Sequence, residues 1–259
     1  MSNDSNEHNQ EDEAPEVESN ASCEPECEPE CEPECEPECA VVKEPEVEPE
    51  PEPEPEPEAN MSVEPDIYAK FWADRLERLG VRASGHISWS ADESMRKAQE
   101  LWDESILPHM PDDGMILDFG CGSGRLTKPI TEAGYSTIGV DSCADMIQAA
   151  EASNGGVRYE HVASGGRVPI RKPDALIVVN TLVSVPDDKI DAVVQELRRL
   201  CKGLPAVVVE NVHKFPVRHS FPFTFRTKRE YMEMFEGLVE VGSIEYGGEP
   251  YVVLAGTLA

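Results

Sequence analysis

Met115-Ile116-Leu117-Asp118-Phe119-Gly120-Cys121-Gly122-Ser123-Gly124-Arg125-Leu126-Thr127 is the stretch from which the rest of this 259-residue chain is read. Its apolar start suits a short buried strand, its three glycines a turn, and the residues from Leu126 onward a helix. Glycine takes positive φ without strain and has no Cβ, so a loop holding Gly120, Gly122 and Gly124 can lay bare backbone against a ligand. A strand, a glycine loop and a helix in succession open a doubly wound α/β sheet, whose ligands sit beyond the carboxyl ends of the strands. A dinucleotide pattern G-x-G-x-x-G begun at Gly120 needs glycine at position 125, where this chain has Arg125. The spacing present is D-x-G-x-G-x-G.

A second acid, Asp141, closes the next apolar run, Ile138-Gly139-Val140-Asp141. An acid about 20 residues beyond a glycine loop is placed to accept hydrogen bonds from both hydroxyls of an adenosine ribose. The extra acid ahead of the glycines, Asp118, suits a cationic ligand end and would repel a pyrophosphate. These residues together resemble motif I and the following acid of the class I S-adenosylmethionine (SAM)-dependent methyltransferases. The resemblance covers nearly all of residues 66–259. It implies SAM as cofactor, held by Asp118, Gly120, Cys121, Gly122, Gly124 and Asp141, with Ser142, Met146, Ser164 and Asn180 from later segments.

The chain departs from that family at three places. Asp141 and Met146 match D-x-S-x-x-M, but Cys143 stands where serine is usual. Ser164 stands where an aspartate normally accepts from the adenine amine. In Ser184-Val185-Pro186-Asp187, Ser184 replaces a frequent histidine, so an imidazole base is missing at that point.

Ahead of the glycine loop, Tyr68, Trp72, Leu76 and Leu79 recur at helical spacing and Gly80 supplies a stop. Ser90-Ala91-Asp92-Glu93 reads as a capping box for a second helix, with Met95, Ala98, Trp102 and Ile106 on its buried side and Pro108 and Pro111 ending it. The family places two such helices over the cofactor cleft as a lid, which makes Tyr68, Trp72 and Trp89 pocket candidates. Beyond Asp141, strands are expected over 157–162, 175–180 and 206–210, and helices over 188–201 and 231–235. A hairpin, 239–246 and 251–258, turns at Gly247-Gly248. The expected fold is an α/β, doubly wound, seven-stranded, mostly parallel sheet with a C-terminal antiparallel hairpin. Residues 211–226 read as an irregular aromatic and basic segment walling the acceptor pocket, with Phe215 and Arg226 as pocket candidates and His213 as the proton acceptor.

Charge divides the chain. Residues 1–60 hold 23 Asp and Glu and one Lys, and so carry -22 of the formal -30; the other 199 residues carry 29 acids and 21 bases. With few large apolar side chains and frequent proline, residues 1–60 cannot bury enough surface to offset ordering and are expected to be a disordered acidic tail. Cys-Glu-Pro-Glu repeats four times from Cys23 to Glu38, and Pro and Glu alternate from Glu48 to Glu58. Such a tract favours an extended polyproline II path of up to roughly 110 Å over residues 23–58. The repeat lacks a C-x-x-C knuckle and has proline between its thiols, so no metal site is expected there.

The opening residues are polar and acidic, without the apolar core of a secretory leader, and no apolar run nears the ~18 residues that span a bilayer. A cytoplasmic protein is expected, with no membrane contact. Overall acidity argues against a broad nucleic-acid-binding face, and no N-P-P-[FYW] or D-P-P-[FYW] run follows the fourth strand. The reading is methyl transfer to a small molecule. Its rivals are a catalytically silent SAM-fold module brought to a protein partner by the acidic tail, and a nicotinamide oxidoreductase, which Arg125 and the terminal hairpin disfavour.

Overall fold

The computed structural model describes residues 66–259, and the readings made on residues 1–60 lie outside the described residues. Two helices come first. Helix α1 (Ile67–Leu79) begins where the Asp66 carboxylate accepts from the Tyr68 and Ala69 amides at 3.0 and 3.2 Å, and ends at Gly80 with φ 59°. Helix α2 (Ala91–Leu101) begins at Ser90, whose hydroxyl accepts from the Glu93 amide at 3.1 Å. It does not run evenly to Ile106: a wide π turn covers Trp102–Ile106 and a 3-10 turn covers Leu107–His109, where Pro108 has no amide to continue the ladder.

The sheet follows, with a helix between successive strands except between β3 and β4: β1 (Met115–Phe119), α3 (Thr127–Glu132), β2 (Ser136–Asp141), α4 (Ala144–Ser153), β3 (Arg158–His161), β4 (Ala175–Val179), α5 (Asp187–Cys201) and β5 (Pro205–Asn211). Next come β6 (Val217–Ser220), β7 (Phe223–Phe225), α6 (Lys228–Met234), β8 (Leu238–Tyr246) and β9 (Glu249–Thr257). Seven strands pair in the order β3-β2-β1-β4-β5-β9-β8. The first five are parallel, with Leu117 opposite Ile138 and Leu176. Strand β9 enters antiparallel to β5, Val208 opposite Leu254, and β8 lies antiparallel outside it.

Alternation along each strand divides the core into two layers. Leu117, Leu176, Val178 and Val208 face Val193 and Leu197 of α5, residues that recur at helical spacing. Ile116, Ile177, Val207 and Val253 face Trp102, Ile106 and Ile130 on the other side. Strand β4 is buried on both faces, which is why it reads as an unbroken apolar run.

Two expectations are corrected. The segment expected to be irregular contains the antiparallel pair β6–β7, a separate two-stranded sheet. Helix α6 starts earlier than expected, because Thr227 and Glu230 form the full reciprocal capping box. Among the described residues no helix is long and apolar enough to cross a membrane, and no group of three or more His, Cys, Asp and Glu side chains is placed to hold a metal ion.

Candidate functional site

The strand order reverses between β1 and β4, and a cleft opens beyond the carboxyl ends of β1, β2 and β4. Gly120 and Gly122 form its floor, with φ 80° and 54°. A Cβ on Gly120 would lie 2.0 Å from the Thr181 hydroxyl, so no other residue fits there. The Asp141 carboxylate closes the loop from the β2 side: Oδ2 accepts from the Gly122 amide and Oδ1 from the Cys143 amide, both at 2.9 Å. Burial raises its pKa, and those backbone donors oppose the rise. Ser142, Met146 and Ser164 line the side beside β2 and β3 with Val140 and Val162, and Tyr68 and Trp72 reach the cleft from α1. The cleft and its open mouth together enclose about 960 Å³ of empty space.

Asn180 stands at the other end, at φ 50°, a left-handed conformation uncommon outside glycine. Its Oδ1 is buried with no partner among the described residues, and so is the Ser184 hydroxyl in the same cleft. Buried polar atoms left unmatched cost free energy unless a ligand or water completes them.

A second cavity adjoins the first and shares Trp72, Ser84 and Asn180 with it. Phe223, Phe225, Tyr246 and Tyr251 wall it, and His213, Asn211, Arg75 and Arg125 bring polar groups to it. The His213 ring packs 4.2 Å from that of Phe225, centroid to centroid.

Several residues expected at the site lie elsewhere. Asp118 is 2% exposed and does not line the cleft; it shares the Ile116 face of β1 and accepts from the Thr127 hydroxyl of α3 at 2.7 Å, with burial pushing its pKa up to about 6. Cys121 is buried against Ile147, Ala150 and Tyr159, and burial pushes its thiol well up. Gly124 is needed for packing, since a Cβ there would lie 2.5 Å from the Asn154 amide nitrogen. Trp89 is buried edge-on to Tyr246 at 4.5 Å and lines neither cavity. Phe215 is 69% exposed. Arg226 is fully buried; its guanidinium donates to the Leu182 and Val185 carbonyls and to Asp187 at 2.6, 2.8 and 2.8 Å, and so fixes the loop after β4.

Glu210, which sequence reading passed over, is the counterpart of Arg226. Fully buried at the end of β5, it accepts from the Thr181, Leu182 and Val183 amides at 2.8, 2.8 and 3.3 Å. These donors hold the turn that presents Asn180, while burial lifts the carboxyl to about 7. The available signal was an acid directly ending the apolar run Ala206–Val209.

Seven strands with one reversed, and a glycine loop closed by an acid on the next strand, define a Rossmann-like methyltransferase domain. Residues 116–203 match the family described as "Methyltransferase domain", which takes in β1 through α5. The match takes in 88 of the 259 residues, the segment that carries the glycine loop, Asp141 and the turn after β4. No curated protein matches the sequence. Similar solved structures include magnesium protoporphyrin IX methyltransferase from Synechocystis PCC 6803 with bound SAM, at 14% identity over 75% of this chain and 94% of that one, TM-score 0.55. Another is 1,6-didemethyltoxoflavin-N1-methyltransferase from Burkholderia thailandensis, at 18% identity over 76% and 91%, TM-score 0.54. A third is a TehB-like SAM-dependent methyltransferase from Corynebacterium glutamicum, at 17% identity over 74% and 99%, TM-score 0.51. At these identities the likeness is one of fold.

Proposed function

We propose that the two cavities divide the reaction, with SAM in the cleft above the glycine loop and a small-molecule acceptor in the aromatic cavity beside it. The observation that carries this is their shared wall, Trp72, Ser84 and Asn180, across which a methyl group would pass. The cleft fits the cofactor. Asp141 uses each oxygen once and keeps lone pairs for ribose hydroxyls. The unmatched Asn180 Oδ1 suits the methionine ammonium, and Met146 and Val162 offer apolar contact to a flat base, with Ser164 beside them.

SAM brings a methyl group already made electrophilic by its sulfonium. The protein therefore has to align the acceptor and exclude water. Glu210 and Arg226 do the first indirectly, by clamping the 180–187 turn from both sides. Phe223, Phe225 and Trp72 do the second. His213 is the group that would take a proton from the acceptor atom where one must leave. The related structures with small-molecule names support an acceptor of that size. The acidic tail would serve as an address for a protein partner, in a cytoplasmic setting.

The test is to incubate the full chain with methyl-labelled SAM and a cell extract divided into small-molecule, protein and nucleic-acid fractions. Label is expected in the small-molecule fraction. Label confined to protein or nucleic acid would contradict the reading.

A further inference from the structure

We propose that the acceptor cavity selects a planar aromatic acid, whose anionic group is held by Arg125 and Arg75. This rests on the aromatic cavity being the acceptor site. Arg125 is 8% exposed and lines that cavity, and its guanidinium meets no carboxylate within hydrogen-bond distance among the described residues. Its donors go to the Ser94 carbonyl at 3.2 Å, the Tyr246 hydroxyl at 2.5 Å and the Ser84 carbonyl at 3.4 Å, and Nε is buried with no partner. A buried guanidinium whose hydrogen-bond partners are all neutral carries a desolvation cost, and an anionic ligand offsets it. Asp118, whose burial-raised pKa the Arg125 charge lowers, makes no hydrogen bond to the guanidinium and accepts from Thr127 instead. Glu249, the acid that lines the cavity, is exposed.

Arg75 adds a second cation from α1. It donates to the Ala83 and Gly85 carbonyls at 2.8 and 3.1 Å, lies 5.7 Å from the Trp72 ring centre, and likewise has no carboxylate partner among the described residues. A guanidinium matches a carboxylate through two parallel N–H donors, where an ammonium would offer a point charge. Around this pair, Trp72, Phe223, Phe225 and Tyr251 present flat apolar walls. Asn211 supplies the complementary polar contact. It is 4% exposed, its Nδ2 donates to the Pro250 carbonyl at 3.3 Å, and its Oδ1 is left to accept from an O–H or N–H on the ligand. Two cations, four flat walls and one buried acceptor describe a hydroxy- or amino-substituted aromatic acid better than an amine or an uncharged lipid.

The experiment is calorimetric titration of the full chain, saturated with S-adenosylhomocysteine, with 4-hydroxybenzoate, indole-3-carboxylate and naphthalene-2-carboxylate, each against its primary amide. The acids are expected to bind at least about tenfold more tightly than the amides. Arg125→Met is expected to weaken acid binding roughly 30-fold or more, as loss of one partner of a buried charge contact does, with amide binding little changed. Arg125→Lys restores part of the preference. Since Arg125 is buried, Arg75→Gln on the more exposed helix is run beside it and is expected to lower the acid preference by itself. Amides binding as well as acids, no acid binding while S-adenosylhomocysteine still binds, or a preference unmoved by both substitutions would overturn the inference. Failure of S-adenosylhomocysteine to bind at all would overturn the cofactor assignment and this inference with it.

Discussion

Asp118 and Asp141 look equivalent as two acids bracketing a glycine loop, but they sit at different depths of the sheet: Asp118 lies within β1 opposite Gly139, whereas Asp141 is the last residue of β2. Asp118 falls on the Ile116 face, under α3, whereas Asp141 reaches the cleft and closes the loop. Spacing located both acids in the sequence; how deep in the sheet each would sit, and that Thr127 of α3 would cover the first, depended on how the strands pair and α3 docks, and spacing does not encode that. Asp118→Asn keeps an acceptor for Thr127, so SAM affinity measured by calorimetry is expected to change less than about threefold. Glu210 gives a prediction in pH. Its folded pKa, about 7, lies above the ordinary 4.5, so the folded state holds the proton longer than the unfolded chain. Its contribution to stability is therefore fullest below pH 4.5 and declines as pH rises to about 7, by roughly 3 kcal/mol for a shift of that size. Urea unfolding across pH 4.5–7.5 should show Glu210→Gln lacking that part of the wild-type decline. A variant with the wild-type slope would count against the assignment.

At the scale of elements, α1 and the β6–β7 pair meet in an aromatic arch beside the site. Tyr68 and Phe71 pack edge-on to Phe221 at 5.3 and 6.0 Å, and Trp72 to Phe223 at 6.3 Å. The lid helix was legible from its spacing. The hairpin was not, because its short strands lie among phenylalanines and prolines that read equally well as loop. For the same reason the sequence put Phe215 in the pocket: a chain of aromatic residues signals a wall without saying which ring faces inward. Phe223→Ala removes wall and arch contact, and should raise the acceptor KM about tenfold while leaving SAM affinity within about twofold. Trp72→Ala, which touches both cavities, should impair both constants; steady-state kinetics with either compound varied would separate these outcomes. Arg226 reads as a pocket residue in the sequence because it closes an aromatic and basic segment. Its replacement by Met strands the Leu182 and Val185 carbonyls, so denaturant unfolding should record a loss of about 3 kcal/mol, and an unchanged midpoint would refute its structural role.

For the whole molecule, order along the chain was the most legible property, because β and α periods alternate and the Gly247-Gly248 turn marks the reversed last strand. The described core is assembled from residues between Ala69 and Leu258. Residues 1–60 hold few large apolar side chains to bury in a core, so their removal is expected to leave the thermal midpoint within about 2 °C and SAM affinity unchanged. The pairing of two cavities across Asn180 could not be read from sequence, since its residues come from α1, the loops after β1 and β4, the β6–β7 pair and the final hairpin. The central claim is that the cleft over Gly120 and Gly122 holds SAM through Asp141. Calorimetric titration of the full chain with SAM, with NADH as control and Asp141→Ala as the comparison, tests it most directly. The account predicts a SAM dissociation constant below about 100 μM, corresponding to roughly -5.5 kcal/mol, no NADH binding, and at least about 30-fold weakening by the substitution. SAM binding unaffected by Asp141→Ala, or NADH binding in place of SAM, would contradict it.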